Sequence, residues 1–563
     1  MIQEGVVTPT EANLLLRNGT VYVGNGRWDR ASVAVAGGSI LACGTDAQIG
    51  GLVGSTTEII ELDGRSLLPG FHDAHVHPLF AGMALLGIDL SSVHSRQQYA
   101  ELITAYVRDN PNDAAYAGAG WYGDVYPGGF PTRDDLDAIV RDRPVILDSH
   151  NAHGVWVNSK VLEIAGIDER TPEPAGGRIL KDSSGKPSGI LLDTARSLIE
   201  DLLPQHDADH LFRAMLAAQA RLHSVGVTGW QDALVGVCDL GPDVFPVYRE
   251  LVRQGRLSAR VAVDLWWDRN RGLEQIADLE VRRDEAATWG NVRANTVKIM
   301  QDGMVENQTA ALLDPYCAVS TADYLGPSLV DPGLLNEATV RLDALGFQVH
   351  FHAVGDRAVR ECLDAAAHAR NVNGPNDLRH QIAHLDLVDP ADFGRFAELD
   401  VSANIQMLWA RRDREILERK LPLLGQVRER YHFPFGSLSR AGARLVGGSD
   451  WPVSDPSPLW AIYTGTTRLA LQEDVHATGA EATTVPLEPA EAIGYGTALD
   501  AYTINAAYVS HLDDVTGSIT PGKAADLVML DTDVSSGQHL GSARVAQTLI
   551  DGSVVYANPA AAH

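Results

Sequence analysis

Two histidines one residue apart, His75 and His77, close the run LLPGFHDAHVHP at positions 67–78. Side chains on an extended strand alternate with period two, so a His-x-His pair sends both imidazoles to one face. That geometry suits a metal ion and equally suits two solvated histidines, so the pair needs partners. Further along, Lys298 lies in NTVKIMQDG, His352 in VHFHAVGD, His384 in RHQIAHLD and Asp450 in LVGGSDWP, each close to the end of a short β-branched run. Nitrogen and oxygen donors of this kind suit Zn2+, and also Mn2+, Fe2+ or Co2+, and there are enough of them for one or two divalent ions. A cation so held lowers the pKa of water to about 7 and polarises the carbonyl or imine under attack. Asp450 would accept the proton of the attacking water and return it to the leaving group. Lys298 fits this set only as a neutral amine or as a carbamate formed with carbon dioxide, because an ammonium cannot ligate a cation. The plain alternative is a salt bridge from Lys298 to Asp302, four residues on.

These residues must be brought together by strands. NTVKIMQDG, FQVHFHAVGD, RHQIAHLDLV, VSANIQMLW and ARLVGGSDWPV are short runs ending in polar residues. Helical periodicity lies between several of them, as in DRAVRECLDAAAHARN, where Val359, Cys362, Leu363 and Ala366 follow i, i+3, i+4, i+7 spacing. Repeated βα units over this length favour an α/β fold, a parallel-stranded (β/α) barrel whose chemistry collects at the C-terminal strand ends. An open doubly wound sheet is disfavoured, since no glycine-rich dinucleotide fingerprint follows an early strand.

Near the N-terminus, ANLLLRNGTVYV, ASVAVAGGSILACG and TEIIELDGRSLLPG read as hairpin strands punctuated by Asn-Gly, Gly-Gly and Asp-Gly. GSITPGKAADLVMLD and VAQTLIDGSVVYAN repeat the pattern near the other end. The expected organisation is a β-sandwich from residues 1–68 plus 509–563, a barrel from 69–88 plus 213–508, and an insertion at 89–212. The insertion reads as loops and short strands with one plausible longer strand, RPVILDSHNAHGVWVN. Asp526 and Lys523 in PGKAADLVML read as turn residues facing solvent or holding the turn.

The chain has 563 residues and a formal net charge of -28 at pH 7, which would repel phosphate backbones and anionic lipid. Nucleic-acid and membrane partners are therefore discounted. Cys43, Cys238, Cys317 and Cys362 are widely spread without a CxxC pair, which fits reduced thiols and a cytoplasmic address. A monomer and a homodimer are both admissible.

Taken in order, PGFHDAHVH, VKIMQDG, HAVGDRA, RHQIAH and GGSDWPVSDPSPL resemble the amidohydrolase superfamily, and within it the branch containing N-substituted formamide deformylase. GWYGD, HNAHGVWVNSKVLEIAGI, GKPSGILLD, ENQTAALLDPY and AYTINAAY extend that resemblance over nearly the whole chain. It implies a distorted (β/α)8 TIM barrel with a β-sandwich from both termini, the 89–212 insertion as a domain over the barrel mouth, and a small-molecule amide as partner. It also implies His75 and His77 as first-strand metal ligands, Lys298 as the bridging lysine, His352 and His384 as fifth- and sixth-strand ligands, and Asp450 as both ligand and general base. Ala383 stands where the family often has an acidic residue, and Met407 where it has proline.

The implied activity is metal-dependent hydrolysis of a non-peptide C–N bond in an N-formyl or N-acyl amine bearing a sizeable apolar N-substituent. A cyclic-amide hydrolase or deaminase is the alternative. Deaminases of the superfamily usually carry a glutamate three residues after the fifth-strand histidine, where this chain has Gly355. A catalytically silent scaffold would have lost ligands that are all present. Trp121, His153, Asn158, Trp409 and Trp451 are candidates for the substrate pocket, with His153 as a hydrogen-bond donor to a substrate oxygen. His72, His150 and His380 read as structural, with a ligand-orienting role open to His380 or Asp73.

Overall fold

The computed structural model describes residues 11–561 except 175, 203–206, 239–240 and 318–322. Its centre is an eight-stranded parallel barrel in chain order. The strands are β1 (Phe71–Val76), β2 (Val227–Val235), β3 (Arg260–Trp266), β4 (Val292–Met300), β5 (Gln348–Ala353), β6 (Gln381–His384), β7 (Ser402–Ile405) and β8 (Leu445–Gly447). Past the end of β8 the chain returns to β1: Asp450 N donates to His75 O at 2.7 Å and His77 N donates to Trp451 O at 2.9 Å.

The strand pattern follows from having both faces buried. On β5 every residue is buried, yet Val349 and Phe351 alternate with Gln348, His350 and His352. The apolar residues belong to the hydrophobic core under the helices, while the polar ones point into the barrel. The helix Asp356–Asn373 covers this side with Val359, Cys362, Leu363 and Ala366 all buried, as their spacing predicts. Each fully buried side chain of valine or phenylalanine size contributes about 1.5–3 kcal/mol.

Strands from both ends of the chain join in one continuous eight-stranded sheet. Gly37–Gly38 and Asp63–Gly64 make turns as expected, but Asn18–Gly19 does not. It is a bulge inside the 13-residue strand Ala12–Gly24. There the strand exchanges its parallel neighbour Val53–Glu61 for Ser66–Pro69, and Gly19 is packed so closely that a Cβ would meet Leu62 at 2.3 Å. Asp526 is also not a solvated turn residue. It is 2 % exposed and accepts from Arg260 Nε at 2.6 Å, tying the terminal sheet to the start of β3.

The segment between β1 and β2 folds as a six-stranded sheet of its own. The single strand expected across RPVILDSHNAHGVWVN is a hairpin, Val145–Ser149 against Gly154–Val157. Asn151 Oδ1 accepts from Ser149 Oγ at 2.6 Å and His153 N at 3.2 Å, and Ala152 takes φ +58°, so polar side chains here build the turn that an apolar count overlooks. Among the described residues no helix is long and apolar enough to cross a membrane. All four cysteines are free of disulfides.

Asp526→Ala leaves the Arg260 guanidinium with Asp551 alone, and losing one partner of a buried pair costs about 3 kcal/mol. The expected result is a Tm lowered by several degrees in calorimetry, partly recovered in an Asp526→Ala/Arg260→Met double variant. An unchanged Tm would remove this clamp from the account of stability.

Candidate metal centre

The ends of β1 and β8 are held together by Asp73, whose Oδ1 accepts from His75 N at 3.1 Å and from Ser449 N at 3.0 Å. With the two backbone bonds at Asp450 and His77, this clamp sets the first-strand histidines beside the eighth-strand aspartate. Asp450 Oδ1 lies 3.3 Å from His75 Nε2 and 3.0 Å from His77 Nε2, and Asp450 Oδ2 lies 4.0 Å from His384 Nδ1. His75, His384 and Asp450, all buried, each offer a ligand atom within 4.8 Å of the others. Among the described residues His384 Nδ1 is buried without a hydrogen-bond partner, a state that costs about 1–3 kcal/mol unless something binds it. A divalent cation between two imidazoles and a carboxylate fits that vacancy in bonding. His384 and Asp450 also hold φ of +80° and +56°, conformations that cost about 1–3 kcal/mol each and concentrate at functional sites.

His352 stands next to this trio, its ring centroid 4.4 Å from that of His384, with Nδ1 3.3 Å from Asp302 Oδ1. Asp302 does not pair with Lys298. Its oxygens accept from Ala311 N at 2.9 Å, Val354 N at 2.9 Å and Gly355 N at 2.8 Å, so its work is to hold two loops at the barrel mouth. Lys298 Nζ instead lies 3.4 Å from His75 Nε2, and among the described residues no carboxylate is within 4.0 Å of it. Burial lowers its pKa to about 8, against the pull of Asp264 and Asp450.

The sequence reading passed over His350. His75 Nδ1 lies 3.1 Å from His350 Nε2, and His350 Nδ1 lies 2.6 Å from Asp264 Oδ2. A carboxylate only accepts, so His350 carries its proton on Nδ1 and offers Nε2 as an acceptor. His75 must then donate from Nδ1, which leaves the lone pair of Nε2 facing Asp450 and Lys298. Burial pushes His350 down to about 4 and His75 well below 6.5, keeping both rings neutral for this arrangement. Asp264 is fixed in turn by Gln231 Nε2 at 2.7 Å, Gln231 by Gln381 Nε2 at 2.9 Å, and Gln381 by Asn404 Nδ2 at 2.9 Å. The signal was present: VHFH repeats the His-x-His spacing, so His350 and His352 share an inward face.

The pocket candidates separate. His153, set by the hairpin turn, pairs with Asp193 at 2.8 Å and its ring is 6.5 Å from that of His352. Burial alone would lower its pKa, but the Asp193 carboxylate prevails and raises it. Trp409 stacks on His384 with centroids 5.4 Å apart and an angle of 3°. Trp121 lines a small cavity with His153 while donating to Leu147 O at 2.9 Å. Trp451 packs in the main core and meets the site through its carbonyl. Asn158 is a structural residue, capping helix Ser159–Ala165. His72 pairs with Ser510 and His380 with Asp343, so of the two orienting candidates only Asp73 acts at the centre. At Gly355 a Cβ would meet Ala311 O at 2.1 Å, leaving no space for the glutamate of a deaminase.

A second cavity of about 50 Å³ adjoins the first, sharing His150 and Asn151. Trp409 forms one wall, but the rest includes Glu306, Arg411, Asp413, Glu415 and Lys420. Tyr122, Met304, Ile416 and Val453 also line it, so this cavity carries charged groups beside apolar walls. Of the charged residues only Glu306 stood in a segment singled out beforehand, and no role attached to it.

The amidohydrolase family profile matches residues 58–556. Protein LONG AFTER FAR-RED 3 of Arabidopsis thaliana is 30% identical, over 97% of this chain and 92% of that protein. N-substituted formamide deformylase of Arthrobacter pascens is 27% identical, over 93% of this chain and 94% of its own. Among solved structures, an uncharacterized metal-dependent hydrolase from Pyrococcus furiosus superposes with a TM-score of 0.69 at 26% identity, covering 92% of this chain and 99% of the other. With the family profile spanning most of its length and the barrel, terminal sheet and buried His/His/Asp trio in place, this chain belongs to the amidohydrolase family.

Proposed function

We propose that the protein is a metal-dependent hydrolase of a non-peptide C–N bond, acting on an N-formyl or N-acyl amine. The observation that carries this reading is the convergence of His75, His384 and Asp450 ligand atoms within 4.8 Å in a buried site at the C-terminal strand ends. Similarity to a deformylase and to a metal-dependent hydrolase supports it. The closed packing at Gly355 weighs against deamination.

His75, His77, His384 and Asp450 would hold a divalent cation, most simply Zn2+, with His352 and Lys298 adjoining for a second. Such a cation supplies an electrophile for the substrate carbonyl and brings the pKa of water near neutrality. Asp450 accepts a proton as the water oxygen bonds to the carbonyl carbon, and delivers it to the amine nitrogen as the C–N bond breaks. Its basicity is set by opposing effects: burial raises the pKa, but His77, His384 and Lys298 hold it below the usual carboxylate value. His153, oriented by Asp193, donates to the substrate oxygen. Lys298, buried without a neighbouring carboxylate and with a pKa of about 8, has a neutral fraction able to add carbon dioxide, releasing a proton and leaving a carbamate.

Three outcomes test this reading. Asp450→Asn should lower kcat by about 10²–10⁴-fold on any substrate found; unchanged turnover would exclude Asp450 as the base. His350→Phe should weaken divalent-metal affinity by about 10–100-fold in competition with a chelator, because His75 loses the acceptor that fixes its tautomer. The third concerns pH. The folded-state pKa values of His75 and His384 lie well below 6.5, so both rings stay neutral as pH falls through 6.5. Metal content by elemental analysis should stay level there and fall only at lower pH; release centred near 6.5 would mean solvated histidines.

A further inference from the structure

The second cavity holds more charge than its own ion pairs consume, and the surplus has one sign. Each cation in its wall is claimed. Lys420 Nζ donates to Asp386 Oδ2 at 2.8 Å, and Arg411 donates to Asp413 Oδ2 at 2.9 Å and also to Asp474. Arg419, beside the cavity, donates to Glu415 Oε1 at 2.7 Å. The two glutamates are each only half satisfied. Glu306 Oε1 accepts from Asn151 Nδ2 at 3.1 Å, but among the described residues Glu306 Oε2 has no hydrogen-bond donor, only an ion pair with Lys420 Nζ at 3.7 Å. Glu415 Oε2 likewise has none. The Glu306 side chain is 1 % exposed and the Glu415 side chain 11 %.

A buried carboxylate oxygen without a donor is costly, because water no longer solvates it and nothing replaces that solvation. A protein that keeps two such oxygens on one cavity wall beside a candidate reaction centre has left acceptors for a ligand that donates. Among the described residues the only trio of His, Cys, Asp or Glu converging within 4.8 Å is His75, His384 and Asp450, so the geometry here favours a hydrogen-bond donor over a multivalent metal. Glu415 comes from a π-helical turn, Glu415–Lys420, which also supplies Arg419 and Lys420. Such turns are rare and gather at functional sites, since the extra residue re-aims side chains. The cavity of about 50 Å³ has room for a few non-hydrogen atoms, and its Trp409 wall is the ring stacked on His384.

We propose that Glu306 and Glu415 form a subsite for an ammonium group, so that the preferred substrate is a mono-N-acylated or mono-N-formylated diamine and not an amide with an apolar N-substituent. This rests on the amidohydrolase reading of the adjoining centre for the reaction, while the binding claim stands on the cavity alone. Burial pushes Glu415 up to about 7 despite Arg419, so an arriving ammonium would also favour its ionised form.

The test compares mono-N-formyl-1,3-diaminopropane with N-formylbutylamine, which replaces the ammonium by a methyl group at equal length. Calorimetric titration of the purified holoprotein should show the ammonium compound binding at least about tenfold more tightly, as expected for a charge-assisted hydrogen bond. Glu306→Gln, nearly isosteric, should collapse that ratio towards one, and Glu415→Gln gives a second reading should the first variant fail to fold. Equal binding of both compounds, or a preference unchanged in both variants, overturns the subsite. Preferential binding without hydrolysis of either compound leaves the subsite standing and counts against the amide-hydrolysis reading. Hydrolysis of both compounds without preference does the reverse.

Discussion

The structure depends on one closure. A parallel barrel is complete only when its last strand returns to its first, and here that seam is made by Asp73. One carboxylate oxygen accepts from His75 N and Ser449 N, and backbone bonds from Asp450 to His75 and from His77 to Trp451 finish the join. The same few ångströms that close the barrel set Asp450 beside two imidazoles. Fold closure and site assembly are one event, which explains why the residues around the seam are buried and why Asp450 tolerates a left-handed backbone. Burial pushes the Asp73 pKa up to about 7, opposed by hydrogen bonds from the Ser449 side chain and from the Ser449 and His75 backbone, which favour the ionised, clamping form.

Behind the seam runs a second constraint. Polar side chains in a barrel interior must satisfy one another, because no solvent reaches them. The chain from His75 through His350, Asp264, Gln231 and Gln381 to Asn404 does this across six strands, and Asn404 returns it to β1 through Ala74 O at 2.9 Å. Each partner fixes the orientation of the next, so the tautomer of His75 is decided by residues that never approach a substrate. The outward faces of the same strands carry the hydrophobic stabilisation, which separates the folding task from the chemical one on every strand.

The inserted sheet contributes residues to the cavities at the barrel mouth. Its hairpin turn delivers His153 to the vicinity of His352, and Asn151 from the same turn reaches Glu306 in the barrel loop after β4. The contents of the mouth are therefore shared between two parts of the chain far apart in sequence. A reading that assigns pocket residues strand by strand finds the tryptophans and overlooks the charged wall.

Much of the architecture was legible in order and period. The alternation of buried runs with amphipathic helices announces a parallel barrel, and histidines, lysine and aspartate at strand ends announce a site at its mouth, because period two and the strand-end rule are local properties of the chain. Local signals did not extend to the hairpin at Asn151, the bulge at Gly19 or the capping role of Asn158, where side chains bond to backbone instead of following apolar period. The sequence by itself determined which residues are able to bind metal and move protons. Tertiary structure alone decided which of them meet, that Asp302 serves loops and leaves Lys298 without a carboxylate in ion-pair contact among the described residues, and that Glu306 and Glu415 line a cavity with one carboxylate oxygen each lacking a hydrogen-bond donor among those residues. Those outcomes depend on distances between segments hundreds of residues apart, and on which buried charges find partners, neither of which is encoded in spacing along the chain.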